Sequence, residues 1–123
     1  RDFGHVASRG RPQSGFEAHD KAVRAAALAI SLVTRIPAPL RSLADQVVRS
    51  ASSVPANLAE GSGRSGRDRT YHYRIAYASA KEVDSHLSLL VVSGAVPPGK
   101  ATTALLLFDD VRAMTWRLLH PKS

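Results

Sequence analysis

The chain has 123 residues and a mass of 13.2 kDa, and 44% of its residues are hydrophobic, which is typical of one globular domain with its own core. It contains no cysteine, so disulfide scaffolds, cysteine zinc sites, iron–sulfur clusters and thiol nucleophiles are excluded. Lys and Arg number 17 against 10 Asp and Glu, and the resulting net charge of +7 favours an anionic partner.

Residues 1–15 contain scattered glycines and arginines without an apolar period, so we predict a flexible N-terminal arm there and a single helical domain over residues 16–123. The longest uncharged apolar run, residues 25–33, is far shorter than a membrane-spanning helix requires. No signal-type apolar segment follows the N-terminal arginines. We therefore expect a soluble cytoplasmic protein without a membrane partner.

Apolar residues recur at helical spacing in four segments, which predicts helices near residues 18–35, 40–62, 67–94 and 99–119. On the first helix the predicted inward residues are Phe16, Val23, Ala26, Ala27, Ile30 and Val33. The second is predicted to continue through Pro55, because Val54 and Leu58 extend one apolar stripe past it. Gly61 and Gly63 are expected to end that helix, and Ser65 with Asp68 to form a capping box for the next.

Four amphipathic helices with short connections predict an all-α fold, an antiparallel up-down four-helix bundle. The first and last helices carry more apolar residues than one core needs, which indicates a homo-oligomer. A polar stripe on the second helix is interpreted either as a solvated face or as a seam between subunits; it comprises Gln46, Ser50, Ser53, Asn57, Glu60 and Arg64.

No residue pattern favours catalysis. The glycines of residues 61–66 match a nucleotide-binding spacing, but a helix rather than a strand precedes them, so we interpret them as an interhelical turn. Glu82 and His86 stand one helical turn apart and are expected to form a hydrogen bond rather than a metal site. We predict no catalytic residue, no cofactor and no metal, and therefore a protein that is not an enzyme.

Basic residues cluster around the start of the third predicted helix. Those expected to bind nucleic acid are Arg64, Arg67, Arg69, Arg74 and Lys81. Tyrosines lie close by, and cations interleaved with aromatic rings can bind phosphates and stack on bases. We therefore predict an oligomer that binds RNA or DNA with low specificity. The alternative is a structural or adaptor oligomer whose basic face docks an acidic protein.

Two segments carry a family resemblance: residues 53–61, SVPANLAEG, and residues 73–82, YRIAYASAKE. Together they resemble the bacterial four-helix bundle proteins first noted as reading frames in intervening sequences of large-subunit ribosomal RNA genes. The resemblance spans roughly residues 18–119, with Ala78 where the family usually has glycine. The positions matching the family signature are Ser53, Pro55, Asn57, Glu60, Gly61, Ser79 and Glu82.

This resemblance implies an up-down bundle that assembles into a ring, typically a pentamer. It also implies kinship with the accessory proteins of diversity-generating retroelements, which engage a reverse transcriptase and nucleic acid through a positively charged surface. It carries over no catalytic residue, so the signature positions are expected to be structural or to lie at interfaces.

Overall fold

A computed structural model of the protein describes residues 15–122, which form four helices and no strand within that range. They are α1 (Gly15–Val33), α2 (Arg41–Ser62), α3 (Gly66–Val92) and α4 (Pro98–Leu119). The four predicted helices are confirmed, with boundaries that differ by a few residues at most. Residues 1–14 of the predicted arm and residue 123 lie outside the described residues, whereas Gly15, assigned to the arm, is the first residue of α1.

Each helix packs against the helices that precede or follow it in the chain, and α1 also packs against α4. The connections, residues 34–40, 63–65 and 93–97, are far too short to return along helices of about 30 to 40 Å, so successive helices run in opposite directions. The four helices therefore surround one core. Its largest fully buried side chains include Phe108, Leu58, Leu87 and Leu90.

The buried face of α1 differs from the predicted one and consists almost entirely of alanine. Its members are Ala18, Ala22, Ala25, Ala26, Ala29 and Val33. Phe16 and Val23, which were predicted to point inward, are 59% and 45% exposed, and Ala27 is also exposed. Ala26 and Val33 are buried as predicted, but the rest of the predicted face was wrong because nearly every position from Ala22 to Val33 is apolar and the period leaves the rotation of α1 open. Alanine instead lets α1 lie close to α2 and α4 while keeping the highest helix propensity.

Helix α2 continues through Pro55, as predicted, with Val54 and Leu58 fully buried on either side. It does not end at Gly61, which is a buried helical residue. A Cβ atom built on Gly61 would lie 2.6 and 2.7 Å from two ring carbons of Tyr73, closer than real side-chain contacts. Glycine is therefore required here by the approach of a ring on α3, and Gly63 occupies the C-cap position.

The starts of α3 and α4 depend on backbone conformation rather than on side-chain caps. Ser65 occupies the N-cap position of α3 with an extended backbone but makes no capping hydrogen bond, so the predicted capping box is wrong. Pro97 is the N-cap residue of α4 and Pro98 its first helical residue, where proline's missing N–H donor has no helical partner to lose. Between these helices, Gly94 adopts a φ of +87°, which favours glycine, as the chain leaves α3.

Candidate nucleic-acid interface

Three of the five predicted nucleic-acid residues form a row along the outer side of α3. Arg67, Arg74 and Lys81 are seven residues apart, so each step advances about 10.5 Å along the helix with little rotation. All three side chains are exposed, and no carboxylate of residues 15–122 lies within ion-pair distance of them. We call Arg67, Arg74 and Lys81 the α3 basic stripe. It presents uncompensated positive charge to solvent.

The other two predicted cations, Arg64 and Arg69, are engaged within the chain. Arg64 donates to Glu60 at 2.7 Å and lies 3.9 Å from Asp68, so two carboxylates offset its charge. The Nε–H of Arg69 donates to the carbonyl of Arg64 at 2.8 Å and to that of Gly61 at 3.3 Å. Carbonyls at a helix C-terminus are an electronegative site, so Arg69 stabilises the end of α2. These two residues shape the α2–α3 turn beside the stripe.

The same ion pair affects the acidity of Glu60. The Arg64 guanidinium hydrogen-bonds the carboxylate and adds its positive charge, and His72 adds a smaller attraction, so the pKa of Glu60 is lowered below its ordinary value. Glu60 is solvent-exposed, and such exposed pairs contribute little to stability. At neutral pH this carboxylate remains charged and continues to hold Arg64.

Two residues of the polar stripe of α2, Ser53 and Asn57, contact α3 of the same chain. The Asn57 amide donates to the Ser53 carbonyl at 2.9 Å and to the Ser53 hydroxyl at 3.1 Å. Its Oδ1 accepts a bond of 3.0 Å from His72 Nδ1, and Ser79 donates to the Ser53 hydroxyl at 2.9 Å. Ser53, Asn57 and Ser79 of the family signature therefore join two helices within one subunit. For Ser53 and Asn57 the structure shows contacts within one subunit, and the seam between subunits stays a prediction.

Glu82 and His86 do not form the expected hydrogen bond. Glu82 is exposed, and the Nδ1 atom of His86 is buried without a hydrogen-bond partner.

Among residues 15–122 no three His, Asp or Glu side chains come together in a group that could hold a metal ion. Within the same range no helix is long and apolar enough to cross a membrane.

A groove between α3 and α4 adjoins the basic stripe at Lys81. It has a volume of approximately 530 Å³, and its lining residues are Tyr77, Lys81, Asp109, Arg112, Ala113, Trp116 and Arg117. Arg112 forms ion pairs with Asp109 and, at 3.3 Å, with Asp84 of α3, which fixes the two helices together. Trp116 is not among the site residues predicted from the sequence. Its position beside Lys81 depends on the packing of α3 against α4.

A larger cleft of approximately 1350 Å³ opens at the end of the molecule where α1 and α3 begin and α2 and α4 end. Its basic lining residues are Arg69, Arg117 and Lys122, and no Asp or Glu is among the described residues that line it. Trp116 and Arg117 line both this cleft and the groove. The two concave surfaces are therefore adjacent and both carry positive charge.

These observations describe a small, basic, all-helical protein in which four helices share one core and α3 presents a row of three unpaired cations. The family profile described as 23S rRNA-intervening sequence protein matches residues 15–117. Because this match covers most of the chain, the protein belongs to the 23S rRNA-intervening sequence protein family. A search of curated proteins finds no match.

Proposed function

We propose that this protein is a non-enzymatic, homo-oligomeric four-helix bundle that binds nucleic acid in the cytoplasm through the α3 basic stripe. The observation that carries the proposal is the row of three exposed cations, Arg67, Arg74 and Lys81, none of which has a carboxylate partner among the described residues. Membership of a family named for an intervening sequence of ribosomal RNA makes RNA the first nucleic acid to test.

The stripe suits phosphate binding for a physical reason. Cations already paired with carboxylates gain little from a phosphate, because the new contact replaces an existing one. Unpaired Arg and Lys side chains instead displace the counterions condensed on a nucleic acid, and the released ions drive binding. Such contacts carry no base information by themselves, so we expect low sequence specificity from the stripe alone.

Exposed apolar side chains support the oligomeric part of the proposal. Phe16 and Val23 on α1, Val48 on α2 and Leu106 on α4 are each more than a third exposed. Clusters of exposed apolar surface commonly mark interfaces, and closed cyclic symmetry prevents open-ended growth. The resemblance found in the sequence favours a ring, typically a pentamer. A ring would repeat the α3 basic stripe once per subunit and so extend the positive surface.

The test compares two triple variants of equal charge. Replacing Arg67, Arg74 and Lys81 with Glu changes the net charge by −6, from +7 to +1. The matched control replaces Arg35, Arg49 and Lys100 with Glu, because their side chains are also exposed and have no ion-pair partner among the described residues, and it has the same final charge. Affinity for single-stranded and duplex RNA and DNA is measured across a salt series for both variants and the parent.

We expect the stripe variant to lose most of its affinity while the control retains most of it. Log affinity falls with log salt, and each lost phosphate contact reduces the magnitude of this slope by roughly 0.7 to 0.9. The stripe variant loses three cations, so the magnitude of its slope should be smaller by about 2 to 3 per engaged subunit. If both variants bind like the parent, the stripe is not the binding surface. If the parent itself binds no nucleic acid, the adaptor for an acidic protein replaces this proposal.

A further inference from the structure

The only tryptophan of the chain, Trp116, stands at the junction of the two basic concave surfaces and is 50% exposed. A half-exposed indole exposes much apolar area that folding leaves unburied. The packing of α3 and α4 does not require this exposure, because Phe108 and Met114 fill the core on the same helix. The position of Trp116 therefore calls for an explanation other than core packing.

Trp116 is held in a defined orientation by His120, the C-cap residue of α4. The rings of Trp116 and His120 are stacked, with centroids 4.0 Å apart and an angle of 25° between their planes. His120 Nδ1 also donates to the Trp116 carbonyl at 2.9 Å, which fixes the imidazole against the helix end. The two rings form a small aromatic platform before any ligand arrives.

Cations lie on both sides of this platform. Lys81, the last member of the α3 basic stripe, lines the groove together with Trp116. Arg69 and Lys122 line the cleft on the other side, again together with Trp116. A nucleic-acid strand whose phosphates follow the stripe therefore passes directly beside an exposed aromatic ring.

We propose that Trp116 and His120 form a stacking site for an unpaired nucleobase, and that the protein consequently prefers single-stranded nucleic acid to duplex. The proposal rests on the proposed function, because the stripe supplies the phosphate contacts that bring a base to the platform. Bases in a duplex are already stacked on one another and do not reach a side-chain ring. An unpaired base is free to stack, and every base has a face suited to this contact.

The fluorescence of the single tryptophan reports the contact directly. The native protein is titrated with short oligoadenylate RNA, with the same strand annealed to its complement, and with an abasic oligonucleotide of equal length and charge. Stacking of a base on the indole predicts quenching by the single strand only. Equal quenching by all three probes would overturn the proposal, because charge alone would then explain the signal.

Substitution gives an independent measurement. Trp116→Leu should weaken binding of the single strand by about 5- to 100-fold, which corresponds to the usual contribution of one stacked base, and should leave duplex binding unchanged. Trp116→Phe keeps a ring and should retain most of the affinity. Circular dichroism checks the fold of each variant, and the quenching experiment needs no variant.

The failure of this proposal is distinguishable from failure of the proposed function. If the stripe variant loses affinity but Trp116→Leu binds both strands like the parent, the stacking site is wrong and the phosphate-binding stripe stands. If the native protein binds neither strand nor duplex, both are wrong. If single-strand affinity falls in Trp116→Leu and recovers in Trp116→Phe, the aromatic ring is the group that contacts the base.

Discussion

The Tyr73 ring packs against Gly61 and leaves no space for a side chain at this position. The contact predicts the effect of adding a single methyl group there. Gly61→Ala gains up to about 1 kcal/mol of helix propensity but places Cβ 2.6 Å from a carbon of the buried ring. Overpacking of this kind destabilises by about 1 to 3 kcal/mol, so we expect a net loss of stability in urea denaturation. Gly63→Ala is the control, because its Cβ would meet only the Glu60 carbonyl at 3.7 Å. Equal stability of the two variants would contradict this account.

Asn57 is the central residue of the polar contacts between α2 and α3. Asn57→Ala removes its bonds to Ser53 and leaves His72 Nδ1 without its partner, so we expect a loss of about 1 to 3 kcal/mol in free energy of unfolding. The double variant with His72→Ala should destabilise less than the sum of the single variants, because both remove one hydrogen bond. Strict additivity in this double-mutant cycle would show that the Asn57–His72 bond contributes nothing.

At the level of the helix, α1 offers a direct test of which face is buried. Ala25 is fully buried, whereas Ala27, two residues further on, is exposed. Ala25→Leu should therefore destabilise the protein by about 1 to 3 kcal/mol through overpacking, and Ala27→Leu should change the stability of the dissociated subunit by less than about 0.5 kcal/mol. Thermal denaturation of the two variants decides between the observed face and the predicted one, which placed Ala27 in the core. If Ala27→Leu were instead the less stable variant, the predicted face of α1 would be the buried one.

The helices themselves were predictable, because the apolar period of each segment and the prolines and glycines between them depend on local sequence. The face of α1 was not, since nearly every position from Ala22 to Val33 is apolar and the period leaves its rotation open. The stripe at Arg67, Arg74 and Lys81 followed from spacing alone. The roles of Arg64, Arg69 and Trp116 depend on neighbouring chain ends or on packing of α3 against α4, which no local pattern reports.

At the level of the whole molecule, the exposed apolar residues predict self-association. Light scattering should return a multiple of the 13.2 kDa chain mass at micromolar concentration. Val23→Asp on the exposed side of α1 should reduce that mass while the helical content is retained, because a charge at an apolar interface is costly. Thr103→Asp, at an exposed position on α4 that is polar already, serves as control. A monomeric parent at that concentration would contradict the prediction.

The order of contacts along the chain also has a kinetic consequence. Helices α2 and α3 meet across residues 63–65, whereas the Lys21–Asp110 contact between α1 and α4 joins residues that are 89 positions apart. Loop-closure entropy favours the first pairing, so we expect the α2–α3 hairpin to be formed in the folding transition state and α1 to dock on α4 afterwards. Gly61→Ala should then slow folding, and Ala25→Leu on α1 should mainly speed unfolding. Stopped-flow chevron plots of the two variants measure this difference. With this folding order, the turn that orients the α3 basic stripe is the earliest part of the protein to become ordered.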